Sequence, residues 1–238
     1  MHFFETFVVL HVIAGTIGLV AFWVPILTRK GAKQHRRWGR IACYGFIGAG
    51  ALAIAMALYS LYGPEIRIPS VTDRELFAGL FGWMMLYLGL LTIGFADYGL
   101  AVIKHSRDRV ALRAARYQVV IAAVVVSAAW CGYFGLHVGH PLMILVAVVG
   151  LVAMALQQVF IWRSEVPPAS YVGEHFRALL GMGISAYTAF LSVGLIRLVP
   201  EEVFNPMIWA GPSVIGVGLI IYFTHQAKQK RRTPSPQS

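Results

Sequence analysis

Charge is what this sequence has least of. Asp, Glu, Lys and Arg make up 13% of the 238 residues, and only ten of them are acidic. A soluble domain carries about one charged residue in four, so a water-soluble globular fold is excluded. Cysteine is scarce too. Cys43 and Cys131 are the only two, which rules out a disulfide-stapled secreted scaffold. They fall at opposite ends of the spans expected below and do not bridge. Familiar catalytic strings are missing as well: no Walker loop, no His-Glu-x-x-His, no Gly-x-Ser-x-Gly and no Cys-x-x-Cys-His. The helical His-x-x-x-His of zinc-holding membrane hydrolases is also absent, and the last apolar run has no lysine for retinal.

What is present is apolar. Hydrophobic residues reach 58% and mean hydropathy is +0.69. Lys, Arg, Asp and Glu are missing from 6–28, 41–64, 76–96, 117–162, 178–196 and 203–227. The run 117–162 is 46 residues long, too long for one helix across a hydrocarbon core of about 30 Å. It breaks at Leu136-His137-Val138-Gly139-His140-Pro141, where Gly and Pro mark a turn. The expected fold is an all-α integral membrane bundle of seven transmembrane helices, near 4–28, 41–62, 76–103, 117–135, 141–162, 176–199 and 207–225. It forms a single domain over 1–227, followed by a disordered basic tail over 228–238. No cleavable signal peptide is evident, since the first run is full span length and has no basic residue before it.

Charge bias orients the bundle. Of 20 Lys and Arg, 17 fall after the first, third and fifth spans, at the foot of the sixth, or in the tail. The positive-inside rule then puts the N-terminus outside and the C-terminus in the cytoplasm, as expected of a bacterial inner-membrane protein. Trp38 and Trp162 fall at the inner interface, with Trp130 and Trp209 at the outer one. The net charge of +10 therefore reads as a topology signal, and no nucleic-acid partner is expected. The expected partners are the lipid bilayer, a quinone or other small molecule, and a second copy of the chain.

Helices in lipid meet where small residues let backbones approach. In the sixth span Ala178, Gly181, Ser185, Thr188 and Ser192 form one stripe, which extends back to His175. In the first span Gly15, Gly18 and Phe22 form another, reaching back to His11. Both imidazoles are expected to face helices and not lipid. Asp97 stands about 10 Å inside the third span, seven residues before Lys104. An ionisable group at that depth is a candidate catalytic residue by default. The competing expectation is satisfaction by Gln157, Gln158 or a snorkelling Lys or Arg.

Of eight histidines, His35, His105, His175 and His225 gather on the inner side. Converging imidazoles are ligands for a metal or haem iron, so His11, His35, His175 and His225 are candidate cofactor ligands. His175 can pair with His225, His105 or His35, and His11 only with His137 or His140. His137 and His140, three apart in a turn, are a candidate metal pair that needs a third ligand. For His105 and His225 a solvated interfacial position competes with any ligand role.

The most distinctive string is Gln34-His35-Arg36-Arg37-Trp38-Gly39-Arg40. Arg36, Arg37 and Arg40 offer planar donor forks suited to phosphate or carboxylate, or to lipid headgroups. With Leu10-His11 and Gly15 before it, this string resembles a group of uncharacterised bacterial multi-spanning membrane proteins sharing a His-Arg-x-x-Gly-Arg loop after the first span. The likeness covers about 60 residues, plus a late pattern from His175 through Tyr187-Thr188-Ala189-Phe190. It implies residues to watch and no reaction.

Three functional classes fit. The first is a membrane redox protein using inward-facing histidines for haem b or quinone. The second is a carrier of a small anion or lipid-like metabolite through Asp97, Gln157, Gln158 and the Arg loop. The third is a membrane-embedded metal-dependent enzyme pairing Asp97 with His175, provided the third and sixth spans pack together. An accessory subunit is the remaining alternative.

Overall fold

A computed structural model describes residues 2–63, 73–167, 169–192 and 206–232. Within them, seven helical rods and no strand are found. These are α1 (His2–Leu27), α2 (Lys33–Tyr62), α3 (Arg74–Lys104), α4 (Ala115–His137), α5 (Pro141–Trp162), α6 (Ser170–Ser192) and α7 (Pro206–Arg232). The first five are long and apolar enough to cross a membrane. In α6, Glu174 and Arg177 in the opening turns lower the hydropathy. The chain is an all-α bundle of the multi-pass membrane kind.

Each turn has a local cause. Gly139, at φ 66°, ends α4 in the left-handed conformation that glycine adopts without strain. His140 N–H then donates back to Gly135 O at 2.8 Å, and Pro141 opens α5 at a position where its missing N–H is not needed. Asp73 caps α3 by accepting from the Glu75 and Leu76 amides. Within α3 the stretch Ala78–Met84 is π-helical. The wider turn shifts the phase of the side chains on either side of it.

Close backbone contacts pin the rods together. Gly50 of α2 and Gly89 of α3 lie against each other, so that a Cβ on either would meet the other's carbonyl at 3.0 or 2.8 Å. Gly18 of α1 receives the Phe46 ring of α2, and Gly181 of α6 receives Phe95 of α3. Tyr87 of α3 is fully buried and donates to Val146 O of α5 at 2.8 Å. The core runs through α3, which contacts α2, α4 and α6 along its length.

Three boundaries differ from the sequence reading. The expected second span starts at 41, but α2 begins at Lys33, so the His-Arg string forms its first two turns and is not a loop. The sixth helix starts at Ser170 and not near 176, which brings Glu174 into the helix. The last helix runs to Arg232, so the start of the expected disordered tail is helical. The first two shifts have one cause: polar residues are cheap in a helix end that projects beyond the apolar layer. The end of the expected sixth span at 199 lies outside the described residues, and so do residues 233–238 of the tail.

Candidate functional site

The ends of α1, α3, α5 and α7 meet the starts of α2, α4 and α6 at one end of the bundle, where the basic residues lie. Here α1 runs out at Leu27, and its last carbonyls need donors. His35 supplies one through Nδ1, 3.0 Å from Pro25 O. Lys30 supplies more through Nζ, at 2.8 Å to Pro25 O and 2.6 Å to Ile26 O. Cations are favoured at a helix C-terminus, and Lys30 of the connection supplies one there, while His35 from the first turn of α2 adds a second cap to α1.

His175 lies on the small-residue face of α6, which packs on α3. Its Nδ1 is 2.7 Å from Gly99 O. Along the same face Ala178 lies over Gly99, and Ser185 Oγ is 3.0 Å from Thr92 Oγ1. Thr188 is buried, while the side chain of Ser192 lies outside the described residues. His11 repeats the device at the far end of α1, with Nδ1 2.8 Å from Ala49 O of α2. A carbonyl only accepts, so in all three rings Nδ1 carries a proton, and in the neutral form of each ring the lone pair is then on Nε2.

The structure brings two of these rings together. His35 and His175 have centroids 6.5 Å apart and ring planes inclined at 60°. They meet across the seam between the α1–α2 pair and α6, where the helices touch only lightly. Beside them lies a polar group the sequence reading missed. Glu174, only 7% exposed, accepts from Tyr98 Oη of α3 at 3.2 Å and from Arg177 one turn on. Its signal was present but easy to pass over: an acid and a base three apart, just before an apolar run.

The other candidates lie apart. Asp97 is not enclosed in the core of the bundle; its Oδ1 accepts from Arg116 Nη2 of α4 at 2.7 Å, with the two side chains 28% and 62% exposed. Helices α3 and α6 do pack together, but the acid that joins them is Glu174, one residue from His175, and not Asp97. Gln158 bonds to Gln118 at 2.8 Å and to Trp162 at 3.0 Å. His225 is exposed on α7. His105 bonds through Nε2 to Tyr117 Oη at 3.1 Å. At the opposite end His137 stands 3.7 Å from Glu75, and His140 is half-buried at the start of α5. Burial lowers the His140 pKa from its ordinary 6.5. Among the described residues no group of three His, Cys, Asp or Glu side chains is arranged to hold a metal ion. Arg36, Arg37 and Arg40 are exposed on the first turns of α2, and Arg40 Nε donates to Arg36 O at 3.3 Å.

The arrangement thus offers two neighbouring imidazoles, each held through Nδ1, with exposed guanidinium groups on the same turns as His35 and a buried Glu174 beside His175. Comparison with known protein families, with curated proteins and with solved structures finds no match for this chain.

Proposed function

We propose that this chain is a membrane redox protein in which His35 and His175 ligate a b-type haem at the basic end of the bundle, exchanging electrons with a membrane quinone. The observation that carries the reading is the His35–His175 pair, 6.5 Å between centroids, with Nδ1 of each tied to a backbone carbonyl. His35 and His175 would hold the haem iron between them, each presenting one imidazole nitrogen. Hydrogen-bonding Nδ1 while leaving Nε2 available is how ligand histidines are oriented. Two protein ligands are enough for a porphyrin iron, whose ring supplies the others. A structural or catalytic zinc takes three or four. Arg36, Arg37 and Arg40 on the same turns as His35 suit the propionates.

In this reading the haem supplies one-electron chemistry, while the chain holds it and fixes the imidazole tautomers. The basic end faces the cytoplasm of a bacterial cell, by the positive-inside rule. The His-Arg-x-x-Gly-Arg string supports membership of the multi-spanning family it resembles.

The test is an absorption spectrum of the detergent-purified protein, oxidised and then reduced with dithionite, with metal analysis of the same sample. The expected result is a Soret band that shifts on reduction, near-stoichiometric iron, and loss of the band in His35→Ala and His175→Ala but not in Asp97→Asn. A colourless, iron-free protein from haem-replete cells would overturn the reading. Zinc in place of iron would reassign the pair to a metal-dependent enzyme.

A further inference from the structure

At the basic end two donors share one carbonyl. Pro25 O accepts from Lys30 Nζ at 2.8 Å and from His35 Nδ1 at 3.0 Å, which uses both of its lone pairs. The two nitrogens are therefore no farther apart than those two bonds together, about 6 Å. The ammonium is also held from other sides. Nζ donates to Ile26 O at 2.6 Å and lies 4.7 Å from the centre of the Phe223 ring of α7. Phe223 in turn packs on Phe176 of α6, with centroids 6.2 Å apart, and Phe176 is the residue after His175. The last carbonyls of α1 and the rings of α6 and α7 thus fix where this positive charge stands.

A fixed cation has a definite effect on an iron bound beside it. Ferric iron carries one more positive charge than ferrous, so a nearby ammonium disfavours the oxidised form by Coulomb repulsion. Sharing Pro25 O acts in the same direction. A hydrogen bond from Nδ1 raises the basicity of a ligand imidazole, and a carbonyl that already holds an ammonium is the poorer acceptor. His35 then gives less electron density to the ferric form.

We propose that Lys30 is a positioning residue that acts through His35 to raise the midpoint potential of the haem held by His35 and His175. The proposal rests on the haem reading and adds which residue sets the potential, and in which direction.

The experiment is a redox titration of the haem band in the purified full chain from haem-replete cells. Lys30→Met, Lys30→Arg and Lys33→Met are titrated beside the wild type. Lys30→Met should lower the midpoint. At a fixed applied potential its ratio of reduced to oxidised haem should fall about three- to tenfold, or about 30–60 mV for a one-electron couple. Lys30 is exposed, so the upper end of that range applies at low salt, where screening is weakest. Lys30→Arg keeps the charge and should keep the midpoint. Lys33→Met removes an equal charge from the exposed first turn of α2 and should leave the ratio within about twofold of wild type. Should Lys30→Met lose its haem, Lys30→Gln, which can still donate to the carbonyls, takes its place; loss of haem from both makes Lys30 a structural cap and overturns the proposal. Equal midpoints in Lys30→Met and wild type, or an equal fall in Lys30→Arg, overturn it while leaving the haem reading standing. A wild-type protein without haem overturns both.

Discussion

Asp97 and Glu174 are both carboxylates on helices, but their surroundings give them opposite weights. The Asp97–Arg116 pair is 28% and 62% exposed at the surface of the bundle, and Arg116 is the second residue of its helix, at the end of the bundle and not in its midst. Pairs of that kind contribute about 0–1 kcal/mol. Asp97→Asn should therefore change unfolding free energy by less than about 1 kcal/mol, measured by titration into a denaturing detergent. Glu174 is 7% exposed and holds Tyr98 and Arg177. Replacing it by Ala leaves a buried hydroxyl and a guanidinium without their acceptor, and should cost about 2–4 kcal/mol in the same assay. His140 adds a pH effect. Its pKa is lowered from 6.5 by burial, so the unfolded chain binds its proton first as the pH falls. Stability from this group is full above pH 6.5 and declines below it, down through the lower folded-state value. His140→Gln should flatten that decline in a series of melting curves from pH 7.5 to 5.

At the scale of elements, the bundle depends on positions where no side chain can stand. Gly150 of α5 faces the hydroxyl of Tyr87, and a Cβ there would overlap the phenol oxygen. Gly150→Ala should force Tyr87 off Val146 O and separate α3 from α5, costing about 1–3 kcal/mol. Gly218 of α7 has nothing within 4 Å of its Cβ direction, so Gly218→Ala is the control that should not destabilise and should raise stability by up to about 1 kcal/mol. The helix ends follow the same logic in reverse. Carbonyls at the end of α1 are met by His35 and Lys30, and those at the end of α5 by Arg113 and Arg109. Basic residues at this end therefore serve as caps as well as topology signals.

For the whole molecule, the paired histidines lie at the end that carries most of the basic residues. If the positive-inside rule governs, a fluorescent protein fused after Ser238 should fold and emit in the cytoplasm, whereas a periplasmic phosphatase fused there should be inactive. The reverse pattern would place the histidine pair outside the cell and remove the proposed cytoplasmic setting.

Composition and periodicity determine a good deal here by themselves. Charge-free runs of membrane length specify helices, and the turn at Gly139–Pro141 follows from backbone rules that act over a few residues. The small-residue stripes of α1 and α6 say which face of each helix is packed, and so that His11 and His175 point inward. Partners are another matter. That His175 lies beside His35 and not His225, that Asp97 turns to Arg116, and that Glu174 is the acid joining α3 to α6 all depend on which helices touch. In an apolar bundle many pairings bury similar surfaces, so the choice rests on close backbone fits such as Gly50 on Gly89, which no single helix encodes.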